Sequence, residues 1–80
     1  MNKAEVQEIS KFLDDVYEGI CEGDETATMQ QQLTELYCVI KRLMNATSKA
    51  PKQEKSFFAM LEYNARQYKQ VLEVKLGVRN

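Results

Sequence analysis

The chain has no histidine and no tryptophan, a single proline, three glycines and two cysteines. Without imidazole there is no His-based zinc site, no serine or cysteine nucleophile activated by histidine, and no histidine switch near neutral pH. Cys21 and Cys38 are too few for a disulfide framework and too far apart for a Cys-x-x-Cys motif, which points to a reduced, cytoplasmic protein. No apolar run reaches signal-peptide or bilayer-spanning length, so the sequence predicts neither export nor membrane insertion. The sequon Asn45-Ala46-Thr47 then carries no weight. Scarce glycine and proline, set against abundant Glu, Gln, Lys, Leu and Met, disfavour turn-rich β architecture and favour helices.

What is there is eighty residues, 44% hydrophobic and 29% charged, the composition of one small globular domain. A chain this short buries only about 60–65% of the surface its unfolded form exposes. Its core gives a thin stability margin, and self-association is expected. The net charge of −1 hides a division: residues 1–35 carry nine acids against Lys3 and Lys11, residues 36–80 nine bases against three acids, leaving the halves at −7 and +6. The simplest reading is mutual attraction, within one chain or between two copies. A pI near 5.4 argues against a general phosphate binder.

Three apolar stripes predict three helices. Val6, Ile9, Leu13, Val16 and Ile20, with Phe12 and Tyr17 beside them, recur at three- and four-residue steps and place a helix at about 3–22. Glu8, Asp14, Asp15, Glu18 and Glu22 gather with Lys11 on its opposite half. Gly23 suits its stop, and Asp24 or Thr26 is expected to cap the next helix. Met29, Leu33, Leu36, Tyr37, Ile40, Leu43 and Met44 predict a second helix at about 27–46, followed by a linker at about 47–51 whose Pro51 suits the first turn of a third. Phe58, Leu61, Ala65, Tyr68, Leu72 and Leu76 mark that third helix at about 52–76, with Gly77 as its stop.

The third stripe is the widest. On a wheel starting at Phe57, with Met60, Tyr63, Val71 and Val74 included, the apolar arc covers about 220°, where a three-helix bundle needs roughly 100–160°. The excess predicts a second contact surface carried by Phe57, Met60, Tyr63, Val71 and Val74. Of the aromatic residues, Tyr17, Tyr37, Phe57, Phe58 and Tyr68 are expected in the core, and Tyr63 at the rim as a binding anchor. Glu8, Asp15, Glu18 and Glu22 form an acidic stripe read as a solvated face or an electrostatic docking surface. They match neither an EF-hand loop nor a Glu-x-x-His metal motif. Cys38, with Arg42 four residues on, is expected to be the more exposed thiol, and it lacks the base and oxyanion site of a nucleophile.

Phe12-Leu13-Asp14-Asp15-Val16-Tyr17, then Leu33-Thr34-Glu35-Leu36-Tyr37, then a proline-containing loop before an aromatic-rich helix, is similar in spacing to the small helical immunity proteins that protect bacteria from their own bacteriocins. The resemblance runs over most of the chain and implies a helical protein acting by binding. It departs from that family in having no segment for a fourth helix or a longer C-terminal tail.

The sequence thus predicts an all-α fold, a three-helix bundle or extended helical hairpin with a long C-terminal helix, forming one domain over residues 1–80 and self-associating. The function expected is that of a cytoplasmic interaction module, an adaptor, inhibitor or assembly chaperone, binding another protein or itself as a homodimer through the third helix. No catalytic residue, metal or cofactor is expected, and no membrane partner. The alternative is a nucleic-acid-associated regulator using the basic residues Lys41, Arg42, Lys49, Lys52 and Lys55, which the acidic pI and the length of the linker disfavour.

Overall fold

The computed structural model describes residues 1–78 and contains three helices, α1 (Lys3–Glu22), α2 (Thr26–Lys49) and α3 (Lys52–Leu76), with no strand among the described residues. α1 is closed at both ends by its own sequence. The Asn2 side chain accepts from the Glu5 backbone N–H at 2.8 Å. Glu5 in turn takes a backbone hydrogen bond from Asn2, the reciprocal arrangement of a capping box. At the other end Gly23 sits at φ +81°, and the N–H groups of Gly23 and Asp24 both donate to the Gly19 carbonyl.

The expected cap of α2 at Asp24 or Thr26 is not used. Glu25 takes the capping position without a side-chain hydrogen bond, and Thr26 is already helical. The Asp24 carboxyl instead folds over Gly19, occupying the space a Cβ there would need. The expected linker at 47–51 is also corrected. α2 continues through Lys49, and its turn-forming residues bond backward into the helix instead of capping a turn: the Thr47 hydroxyl donates to the Leu43 carbonyl at 2.8 Å and the Ser48 hydroxyl to the Asn45 carbonyl at 3.0 Å. The connection shrinks to Ala50 and Pro51. Ala50 is extended, as a residue before proline should be, and Pro51 stands just ahead of the first turn of α3 rather than within it.

Short connections make successive helices antiparallel, so α1 and α3 point the same way. Glu5 at the start of α1 reaches Arg42 late in α2, and Tyr17 near the end of α1 meets Tyr68 in the last third of α3. α2 and α3 pack most closely, and α1 rests mainly on α3. Ile9, Leu13 and Val16 from α1, Leu33, Leu36, Val39, Ile40 and Leu43 from α2, and Phe58, Leu61, Ala65 and Leu72 from α3 form one buried cluster with no polar or charged residue in it. The body measures 38 × 25 × 16 Å, its long dimension set by the 25 residues of α3 at about 1.5 Å each.

Candidate protein-docking surface

α3 carries two apolar faces, and the core uses one. Phe58, Leu61, Ala65 and Leu72 are buried against α1 and α2. About 120° round the helix lie Phe57, Met60, Tyr63, Val71 and Val74, which remain 42%, 52%, 62%, 37% and 66% exposed. Converted from these fractions, the five side chains present on the order of 500 Å² in total, with Phe57, Met60 and Tyr63 on one side of Asn64 and Gln67 and Val71 and Val74 on the other, against about 300–600 Å² for the largest contiguous apolar patch of an ordinary monomer.

The far flank of α3, toward α2, is tied down by polar contacts. Arg66 pairs with Glu62 at 2.9 Å and Lys69 with Glu73 at 3.3 Å. The Tyr37 hydroxyl donates to Glu73 at 2.9 Å with the Lys69 ammonium 5.8 Å from its ring centre, and Arg66 reaches the Met44 sulfur at 3.3 Å. The Glu73 carboxylate holds the Tyr37 hydroxyl proton, raising its pKa above the ordinary tyrosine range. On the α1 side, Tyr17 and Tyr68 stand with ring centres 6.0 Å apart. Tyr17 is likewise raised, through its hydrogen bond with Cys21. The apolar strip therefore lies open between a polar flank and a tyrosine edge.

The structure corrects the placement of the aromatic residues. Phe58 is buried and Tyr68 half-buried, but Tyr17 and Tyr37, expected in the core, are exposed, and Phe57, read both as a core aromatic and as part of the second contact surface, is exposed with the latter. Tyr37 lies at the edge of its stripe, where its hydroxyl reaches Glu73 and the Lys69 ammonium stands over its ring. Met44, counted in the core stripe of α2, is exposed for the same reason of angle. Val39, outside that stripe, is buried facing α1. Cys21 and Cys38 are both exposed and unpaired with one another.

Glu8, Asp15, Glu18 and Glu22 are all exposed on the outer face of α1, and among the described residues none is in an ion pair. Among the described residues, the attraction between the acidic and basic halves is realised in one ion pair, Arg42 to Glu5 at 2.9 Å. That guanidinium, helped by the Asn2 N–H, holds the Glu5 carboxyl below the ordinary glutamate range. Lys41, Lys49, Lys52 and Lys55 are exposed around the α2–α3 corner.

Two open grooves accompany these charges. One of about 320 Å³ lies at that corner beside Met1, Glu5, Arg42, Lys49 and Phe58, and one of about 240 Å³ lies between α1 and α2 over Phe12 and Val39. Neither brings together a nucleophile and a base, and no cluster of three potential metal ligands occurs among the described residues. No helix is long and apolar enough to cross a membrane.

No protein-family model, no curated protein and no solved structure matches this chain. The functional reading therefore rests on the surface itself. Sequence reasoning missed two of its members, Asn64 and Gln67, which lie in the middle of the strip. Their signal was positional: with Phe57, Met60, Val71 and Val74 they complete an unbroken alternation of three- and four-residue steps.

Proposed function

We propose that this chain is a small protein–protein interaction module, an adaptor, inhibitor or assembly chaperone without catalytic activity, that docks a helical surface on the outer face of α3. One observation carries the reading. Five large apolar side chains on a single helix face stay exposed in a chain whose core is already complete without them. Leaving them in water forgoes roughly 25 cal/mol for each Å² a partner would cover, so the face is a ready source of binding free energy. Tyr63, a ring on a rigid helix with a hydroxyl that stays wet, is the anchor. The unpaired carboxylates Glu8, Asp15, Glu18 and Glu22 supply a negative field that speeds encounter with a basic partner. A bacteriocin immunity protein, which the segment spacing resembles, belongs to the same class of binding protein.

Site-specific photo-crosslinking in the cells that make the protein tests the reading. A benzophenone side chain at position 63 is expected to form adducts, and one at Gln31, exposed on α2, to form none. Absence of adducts at both positions overturns the docking role. A gel shift at low salt separates it from the nucleic-acid alternative, for which no binding is expected.

A further inference from the structure

Resting on the docking reading, we infer that the occupant of the outer α3 face is a second copy of this chain, its α3 lying antiparallel to the first. The spacing is the first ground. Phe57, Met60, Asn64, Gln67, Val71 and Val74 follow one another by 3, 4, 3, 4 and 3 residues, the heptad alternation by which one straight helix keeps a seam against another. The buried face of α3 follows a similar alternation at Phe58, Leu61, Ala65, Tyr68 and Leu72, one residue out of register, so α3 has two seams and its own chain fills only one.

The order of sizes along the open seam is the second ground. In a two-fold dimer residue i meets residue j while j meets i. With the axis between Asn64 and Gln67, an antiparallel pair sets Phe57 on Val74, Met60 on Val71 and Asn64 on Gln67, each layer occurring twice. Every apolar layer then combines one large and one small side chain, and the two polar layers bring together amides that each offer a donor and an acceptor. A parallel pair sets Phe57 on Phe57 and Met60 on Met60 at one end, with valine on valine at the other. One end is overfilled and the other underfilled. Antiparallel pairing also brings the positive end of one helix beside the negative end of the other.

Area is the third ground. The exposed residues of the seam and its flanks, Tyr63, Gln70 and Lys75 included, present on the order of 700 Å², which bounds what pairing can bury and places the interface at the small end of the standard class of roughly 800 Å² per partner. The centrally placed amides hold the register, since sliding one helix past the other by a turn sets Asn64 and Gln67 against apolar side chains.

Sedimentation equilibrium and directed disulfide formation test the inference together. The chain is expected to dimerise with rising concentration, and Met60→Glu, which sets a carboxylate in two layers at once, to weaken the dimer at least a hundredfold while leaving the dilute chain as helical as before. In a Cys21→Ser, Cys38→Ser background, mixing Met60→Cys chains with Val71→Cys chains is expected to give the mixed disulfide far faster than either self-disulfide. A dimer that forms self-disulfides instead overturns the antiparallel pairing. A chain that stays monomeric to about 1 mM, a concentration at which even a millimolar association shows, overturns self-pairing altogether. Adducts to other proteins at position 63 would in that case leave the docking reading standing, and their absence would remove it as well.

Discussion

Leu72 and Val74 stand two residues apart on the same helix and belong to different faces of it. Leu72 has no exposed surface, whereas Val74 is two-thirds exposed. Leu72→Ala removes three carbons from the centre of the packed cluster, a change that costs about 3–5 kcal/mol in comparable cores. A domain of this length has a total stability of roughly 4–12 kcal/mol. At an unfolding entropy of about 0.17 kcal/mol per kelvin for eighty residues, the loss lowers Tm by about 18 °C or more. Val74→Ala gives up little burial and gains a few tenths of a kcal/mol in helix propensity, so the dilute chain should change by less than about 0.5 kcal/mol and Tm by less than about 3 °C. Urea unfolding followed by circular dichroism at several protein concentrations measures both. If Val74→Ala lost as much as Leu72→Ala, and lost it equally at every concentration, Val74 would be part of the single-chain core and the division of α3 into two faces would be wrong.

Other substitutions probe the ends and the charges. Gly23→Ala forces a side chain into the left-handed region at φ +81° and should cost about 1 kcal/mol, read from the same unfolding curves. Carboxyl titration by NMR should find Glu5 below the ordinary glutamate range and Arg42→Gln returning it there. Because its folded pKa is depressed, the Glu5 contribution to stability is fully present above the unfolded value and fades as pH falls through the folded one. Tyr37 should ionise above the ordinary tyrosine range in an ultraviolet titration, with Glu73→Gln bringing it back down. Here the folded pKa is raised, so the contribution holds below the unfolded value and is lost as pH rises toward the folded one.

The three helices were readable in advance because each has an apolar stripe long enough to separate the helical period from strand alternation, and because Gly23 and Gly77 both adopt the left-handed conformation that ends a helix. The end of α2 was not, since Thr47 and Ser48 favour a turn or a helix according to where their hydroxyls bond, and here they bond backward. A helical wheel gives each side chain an angle but does not place the neighbouring helices. That is why Tyr17, Tyr37 and Met44 were assigned to the core although α3 leaves them at its margins, and why Val39 was passed over although α1 covers it. The breadth of the apolar arc on α3 was visible from the residues. Its separation into a filled seam and an open one, with Asn64 and Gln67 in the middle of the open one, required knowing which side α1 and α2 occupy. The opposite charges of the two halves suggested a broad electrostatic contact, and the fold makes it through Arg42 and Glu5.

Two methionines provide the most direct test of the claim that the outer face of α3 is the contact surface between two copies of the chain. Met60 lies on the open seam and is 52% exposed, and Met44 is 48% exposed on the flank beside Arg66. Their peroxide oxidation rates, read residue by residue by mass spectrometry, should be similar in the dilute chain. As concentration rises the account predicts growing protection of Met60 alone, with Met44 unchanged. Equal oxidation of the two at every concentration would contradict it.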